Sequence, residues 1–190
     1  MKFPRGLAKK TLIFLGSYFL FLISWFQVKD YYGMATVALA SKIVTGIKDV
    51  KYEYKVRKGD VIEVIFKPLR HRENILIGIP VKTSFYTFNV PLTLSIMVIL
   101  YPILRKKLRA YGEALMLLFS AHLLYVFSLE ANELTNAFIM RGYEFENMRS
   151  LIFYQFLWGF TDNMVIRFEP YLIGIYLFLR YSKERVANKA

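Results

Sequence analysis

The chain has 190 residues, of which 56% are hydrophobic and 17% aromatic, and it carries a net charge of +12. It contains no cysteine, which excludes disulfides, thiolate catalysis and cysteine-ligated metals. Much of the basic charge flanks apolar runs that approach the length needed to cross a bilayer. The composition therefore predicts an α-helical integral membrane protein, and it argues against a nucleic-acid-binding protein.

The first predicted element is a transmembrane helix at residues 11–28, so that residues 1–28 form a cytoplasmic N-terminus and a first span. Lys2, Arg5, Lys9 and Lys10 precede the apolar run, as they would in a signal peptide. The run is longer than the apolar region of most signal peptides, and no small-x-small cleavage site follows it. We therefore predict that this span is retained.

Residues 29–82 are predicted to form a small extracytoplasmic α+β domain between the first and second spans. Residues 31–47 are rich in Ala, Val and Ile, which indicates a helix on or near the membrane surface. The apolar period then changes to two, which is typical of half-buried strands. The strands are predicted at residues 50–57, 61–66 and 75–81, with a turn at Lys58-Gly59-Asp60 between the first two.

Residues 83–190 are predicted to hold three further spans, which makes about four in all. The basic link 105–109 joins two of them, and the acidic region near 130–163 contains a short apolar run at 151–160 that suits an interfacial or re-entrant helix. The predicted spans cover residues 84–104, 113–129 and 165–181.

Positive charge beside the spans predicts the orientation. The first ten residues, the 105–109 link and the last 11 residues each contain four Lys or Arg residues. An even number of spans places all three clusters on one side, which the positive-inside rule identifies as the cytoplasm. We therefore predict an inner-membrane protein with both termini cytoplasmic, in which the basic 29–82 domain and the acidic 130–163 region share the outer side and contact each other.

Four side chains are candidates for chemistry: His122, Glu130, Arg167 and Glu169. His122 lies midway along the third span, where an ionisable group is costly and often functional, although a neutral histidine hydrogen-bonded to a neighbouring helix is the simpler interpretation. Arg167 and Glu169 lie near the outer end of the last span, where they could bind a peptide or polar head group, or pair only for solvation.

Arg70-His71-Arg72 is a short basic patch between predicted strands and a candidate for binding a partner, although a solvated loop explains it equally. The chain lacks a phosphate loop, a His-Glu-x-x-His zinc motif and a Gly-x-Ser-x-Gly elbow. We therefore predict no cofactor and no metal site, and as partners the lipid bilayer and another membrane protein.

The layout resembles the small membrane proteins encoded alongside exosortases, the bacterial envelope-sorting transpeptidases. The similar features are the overall length and topology, and an outer segment that leads through residues 77–80 (Ile-Gly-Ile-Pro) and 88–91 (Phe-Asn-Val-Pro) into the second span. Exosortases use a catalytic cysteine, which this chain lacks. The resemblance therefore implies an accessory protein and not the transpeptidase, and it assigns no site residue.

Two functions from different classes remain. The first is a non-enzymatic accessory or assembly subunit of an envelope complex, linked to protein sorting or export. The second is an intramembrane enzyme or conduit that uses His122 with Glu130, Arg167 or Glu169. Substitution of His122 should abolish the second function and leave the first intact.

Overall fold

The computed structural model describes residues 5–69, 75–105, 107–142 and 147–187. The described chain is mostly helical and contains one small three-stranded sheet. The helices are α1 (Arg5–Ile47), α2 (Ser84–Thr87), α3 (Asn89–Ile99), α4 (Tyr101–Leu104), α5 (Leu108–Met140), α6 (Met148–Phe160) and α7 (Arg167–Ala187), with a π-helical segment at Thr161–Ile166, and the strands are β1 (Val50–Lys58), β2 (Val61–Pro68) and β3 (Ile77–Lys82).

The helix α1 is a single continuous helix of 43 residues. The prediction of a separate helix at residues 31–47 was therefore wrong. Lys29 and Asp30 interrupt the apolar sequence, but neither residue breaks a helix, because both retain a backbone N–H and tolerate helical dihedral angles. Two adjacent polar residues make this part of the helix surface polar, but they do not end the helix.

The three strands form an antiparallel sheet in the order β1-β2-β3, close to the predicted strand positions. A two-residue turn joins β1 to β2, and Gly59 takes its first central position with φ of +62°, a conformation that glycine adopts without steric cost. The β1 register shifts between Tyr52 and Tyr54, which marks a bulge.

The chain divides into two compact units, to which both long helices contribute. The sheet unit comprises Asp30–Thr87 and Ala121–Ile166, and the helical unit comprises Met1–Lys29, Phe88–Ser120 and Arg167–Ala190. The sheet unit combines the predicted 29–82 domain with the 130–163 region, so the predicted contact between these two segments is present.

The core of the sheet unit lies between one face of the sheet and the C-terminal halves of α1 and α5. Strand β3 shows the alternation that produces it, because Ile77, Ile79 and Val81 are buried and the residues between them are exposed. Phe66 of β2 and Phe138 of α5 are fully buried in the same cluster. Burial of one sheet face against helices gives the three strands the support that an isolated sheet of this size lacks.

In the helical unit, α3 and α4 pack against α7. The second span was predicted over residues 84–104, whereas this segment consists of three helices interrupted at Phe88 and Leu100. Each interruption precedes a proline, Pro91 or Pro102, which has no N–H to donate to the carbonyl four residues earlier. The close approach of α3 to α7 depends on Gly174, where a Cβ atom would lie 2.8 Å from the Ile96 Cγ2 atom.

Residues 148–187 form one uninterrupted helical stretch in which the π-helical segment joins α6 to α7. The predicted interfacial helix at 151–160 and the last predicted span are thus parts of this stretch. Pro170 has no N–H to donate to residue 166, the residue at which the π-helical segment ends. Local widening of the helix therefore accommodates the proline without a break.

Two of the described helices, Gly6–Ile47 and Leu108–Met140, are long and apolar enough to cross a membrane. The most apolar 18-residue window of the first is only 6% buried within the protein, whereas that of the second is 44% buried. The first helix therefore exposes an apolar surface to its surroundings, and the second combines an exposed surface with a packed one.

Candidate functional site

His122 of α5 is fully buried in the sheet unit, where tyrosine side chains from α1 and α2 contact it. Its Nδ1 atom is hydrogen-bonded to the Tyr32 hydroxyl of α1 at 2.7 Å. The Tyr32 and Tyr86 rings lie edge-on to the imidazole, with centroids 5.6 and 5.3 Å away, and Tyr86 in turn packs on Tyr125 at 5.4 Å. The imidazole thus occupies a packed aromatic site that joins α1, α2 and α5.

Glu130 lies on the same helix as His122 and is also fully buried. Glu130 is eight positions after His122, which places the two residues about 12 Å apart along the helix axis, too far for direct proton transfer. Ser41 of α1 donates a hydrogen bond to the Glu130 Oε1 atom at 2.9 Å. The Oε2 atom has no hydrogen-bond partner within the described part of the chain. His122 and Glu130 are therefore two separate polar contacts between α1 and α5, not a catalytic dyad.

Two side chains of β1 lie within the electrostatic field of Glu130. Burial raises the pKa of the Tyr52 hydroxyl, and the Glu130 carboxylate raises it further. Burial lowers the pKa of the Lys55 ammonium group, and the attraction of Glu130 opposes this shift. Lys55 also donates a hydrogen bond to the Met34 carbonyl of α1 at 2.9 Å. The carboxyl group therefore lies at the junction of α1, α5 and the sheet.

Lys48 forms a third polar contact of this unit, at the end of α1. Its Nζ atom donates a hydrogen bond to the Thr135 hydroxyl of α5 at 2.8 Å and lies 4.3 Å from the centroid of the Tyr154 ring of α6. Only 7% of Lys48 is exposed, so the Thr135 hydroxyl and the Tyr154 ring replace most of the water around its ammonium group. The predicted contact between the 29–82 and 130–163 segments therefore includes buried polar and cation–π interactions.

The other candidates lie elsewhere. Arg167 and Glu169 belong to the helical unit, where Arg167 is exposed and Glu169 is 2% exposed and accepts a hydrogen bond from Asn89 of α3 at 3.0 Å. This bond joins α3 to α7 and gives Glu169 a packing role. The patch Arg70-His71-Arg72 lies outside the described residues.

Sequence reasoning identified His122 and Glu130 but missed their partners Tyr32, Ser41 and Tyr86. Ser41 was visible as a polar break in an apolar helix, but only the fold shows that it faces a glutamate 89 positions later. A buried partner of this kind leaves no local pattern, because its position depends on long-range packing. The sequence could have indicated these partners only through the polar side chains that occur within otherwise apolar helices.

Among the described residues, no group of three or more histidine, aspartate or glutamate side chains is placed to hold a metal ion. The chain matches no known family model, no curated protein and no solved structure. Enclosed, hydrogen-bonded polar groups hold helices in register, and their enclosure leaves little access for a substrate.

Two tyrosine-to-phenylalanine substitutions beside His122 should have different effects. Tyr32→Phe removes the hydrogen bond to Nδ1 and should lower the free energy of unfolding by about 1 kcal/mol. Tyr86→Phe removes a buried hydroxyl that has no hydrogen-bond partner among the described residues, so stability should be unchanged or slightly higher. Thermal unfolding of both variants in the same detergent provides the measurement, and equal losses would contradict this description of the site.

The Ser41–Glu130 bond predicts a coupling between the two residues. Ser41→Ala should cost about 1–3 kcal/mol, because the buried carboxyl group loses its hydrogen-bond donor. In a Glu130→Met background the same substitution should cost little, since no carboxyl group remains to be satisfied. A double-mutant cycle measured by unfolding tests this, and additive costs would show that the bond contributes nothing.

Proposed function

We propose that this chain is a non-enzymatic accessory or assembly subunit of a cell-envelope complex, held in the membrane by about four transmembrane helices. The enclosure of His122 and Glu130 supports this proposal most strongly, because both candidate reactive groups are fully buried and hydrogen-bonded within the sheet unit. An enzyme or conduit needs its reactive groups to be reached by substrate or solvent. A subunit that holds a partner needs an exposed surface instead.

Exposed apolar side chains support the membrane placement. Leu12, Leu20 and Ile23 of α1 are 64–72% exposed, and Leu172 and Ile175 of α7 are 55–56% exposed. Large apolar side chains this exposed are unfavourable in water and are expected where lipid or another membrane protein covers them. The basic clusters near residues 1–10, 105–109 and 180–190 then support cytoplasmic termini and an outer sheet unit.

The outer face of β1 is the surface that suits a partner. β1 is an edge strand of the described sheet, and Tyr54 and Val56 on its outer face are 49% and 38% exposed. An edge strand offers unpaired backbone groups, and alternate side chains beside them provide specificity when an extended segment adds to the sheet. The partner in this proposal is another envelope membrane protein, as the resemblance to exosortase-associated proteins implies.

Single-cysteine labelling tests the membrane arrangement, and the absence of native cysteine removes any background. Lys58→Cys, beside the β1–β2 turn, should react with a membrane-impermeant maleimide added to intact spheroplasts. Lys9→Cys, in the basic N-terminal segment, should react only after the membrane is disrupted. Labelling of both positions from the outside, or of neither, would contradict the proposed arrangement.

Copurification tests the accessory role. The tagged chain extracted from its native membrane in a mild detergent should bring a second membrane protein in stoichiometric amount, identified by mass spectrometry. An untagged strain provides the control for proteins that bind the resin. Recovery of a clean single species would contradict the accessory role and would favour an activity of the chain's own that involves His122 or Glu130.

A further inference from the structure

Strand β1 presents the open edge of the three-stranded sheet. The opposite edge strand, β3, contains Pro80, which has no N–H to donate to an added strand. No residue of β1 is a proline, and residues 51–58 form no backbone hydrogen bond outside the sheet in the described part of the chain. An extended segment can therefore pair along β1, whereas Pro80 opposes pairing along β3.

Lysine side chains lie at both ends of the outer face of the sheet, the face opposite the core. At one end the register places Lys51 of β1 directly opposite Lys67 of β2. At the other end Val61 of β2 lies between Lys58 of β1 and Lys82 of β3. Residues 61 and 67 are six positions apart on β2, so the two basic ends are separated by about 20 Å of extended strand.

The pairing of Lys51 with Lys67 is unfavourable within this chain alone, because like charges directly opposite each other destabilise a sheet. Lys51 lies 3.3 Å from Glu53 of its own strand, and Lys58 lies 3.1 Å from Glu63, but the two lysine side chains are 63% and 73% exposed. Ion pairs this exposed contribute little. No carboxylate forms an ion pair with Lys67 among the residues that the structure describes. A carboxylate from another molecule would relieve the repulsion.

Apolar side chains occupy β1 between its two basic ends. Tyr54 and Val56 lie two positions apart on the outer face and are 49% and 38% exposed. Alternate side chains of an added strand point to the same face, so apolar residues there would cover Tyr54 and Val56. The peptide groups of the added strand would meanwhile pair with the edge of β1. A lipid headgroup could contact the lysines, but it could not form this pairing.

We propose that β1 binds an extended acidic segment of the partner, which joins the sheet as a fourth strand. The inference depends on the accessory function proposed above and gives the chemistry of the partner segment. Two carboxylates about six positions apart contact the two basic ends of the outer face. Two apolar residues at alternate positions between the carboxylates cover Tyr54 and Val56.

Peptide binding to the full chain tests this. The purified chain in phosphatidylcholine nanodiscs is titrated into a fluorescent, end-capped peptide, Glu-Thr-Val-Thr-Val-Thr-Glu, and the anisotropy is measured. The peptide presents both carboxylates and both valines on one face of a strand. It should bind with a Kd below about 1 mM. Lys51→Glu/Lys58→Glu should weaken binding by at least about tenfold, because each reversed charge repels a carboxylate.

Two control peptides separate strand addition from simple charge attraction. Thr-Glu-Val-Thr-Val-Glu-Thr has the same composition but carries its carboxylates on the face opposite the valines. Glu-Thr-Pro-Thr-Pro-Thr-Glu keeps the charges but lacks two backbone N–H groups. Both should bind at least about tenfold more weakly than the first peptide. Equal binding of all three peptides would indicate a surface that attracts any polyanion, lipid headgroups included, and would overturn the proposal.

The control variant Lys42→Glu/Arg149→Glu reverses two exposed charges of the sheet unit that lie outside the sheet. It should bind the first peptide as the wild type does. An equal loss of binding in this variant and in Lys51→Glu/Lys58→Glu would show that only net charge matters, and it would overturn the proposal.

Copurification separates failure of this inference from failure of the proposed function. If a stoichiometric partner copurifies with the wild type but the first peptide does not bind, the acidic segment is wrong and the accessory role stands. If no partner copurifies and the peptide does not bind, both proposals are wrong. If the peptide binds and Lys51→Glu/Lys58→Glu also loses the native partner, both proposals are supported.

Discussion

Replacing Phe66 with alanine is expected to lower the free energy of unfolding by about 3–5 kcal/mol, the usual cost of removing a buried aromatic side chain. Phe66 is fully buried in the core of the sheet unit, where it contacts Tyr52 edge-on with ring centroids 6.3 Å apart. The sheet has only three strands, so it depends on this core to stay folded against α1 and α5. Unfolding in detergent, followed by near-ultraviolet circular dichroism, provides the measurement.

Tyr54→Ala is the matched control for Phe66→Ala. It removes an aromatic side chain from the neighbouring strand, but from the outer face, where half of the side chain is already exposed. Its cost should stay below about 1 kcal/mol. If Tyr54→Ala and Phe66→Ala cost the same, the core of the sheet unit is not on the face described.

Replacing Gly174 with leucine should cost about 3 kcal/mol, the upper end of the range typical of overpacking. A Cβ atom alone would lie 2.8 Å from the Ile96 Cγ2 atom, and this methyl group is attached directly to a branched Cβ that cannot rotate away freely. α3 and α7 would have to move apart. The expected result is a lower unfolding temperature for the purified variant than for the wild type in the same detergent.

Gly159→Ala should change the free energy of unfolding in the opposite direction to Gly174→Leu. Gly159 is also helical, but a Cβ atom there would meet nothing within 4 Å. The substitution should raise the free energy of unfolding by about 0.5–1 kcal/mol, because alanine loses less backbone entropy in a helix. A loss at Gly159, or a gain for Gly174→Ala, would contradict the packing of these helices.

The strands could be predicted from the sequence because their signal is local. The strands contain β-branched residues and apolar residues that alternate with charged ones, and a Gly-Asp turn lies between the first two. The structure confirms all three strands, with ends shifted by at most two residues. Helix continuity could not be predicted in the same way. The polarity of a segment shows whether it lies in an apolar or a polar environment, but it does not show where a helix ends. Residues 11–28 and 31–47 were therefore assigned to two helices, although both belong to α1.

The candidate site could be predicted only in part. The polar groups His122 and Glu130 were recognisable because they stand out in an apolar helix. Their partners Tyr32 and Ser41 are 90 and 89 positions away, and no local pattern could have paired them. The hydrogen bonds that Glu113 of α5 accepts from Tyr176 and Tyr181 were missed for the same reason, because the two tyrosines lie 63 and 68 positions away on α7.

Partner recovery from two variants tests the accessory role most directly. His122→Phe removes the His122 imidazole from the core of the sheet unit, whereas Tyr54→Glu/Val56→Glu places two charges on the outer face of β1. If the chain is an accessory subunit, His122→Phe should copurify the partner in at least half of the wild-type amount, and the β1 variant should lose at least about tenfold. If the β1 variant recovers the partner in the wild-type amount, or if no partner copurifies with the wild type, the accessory role through β1 is contradicted.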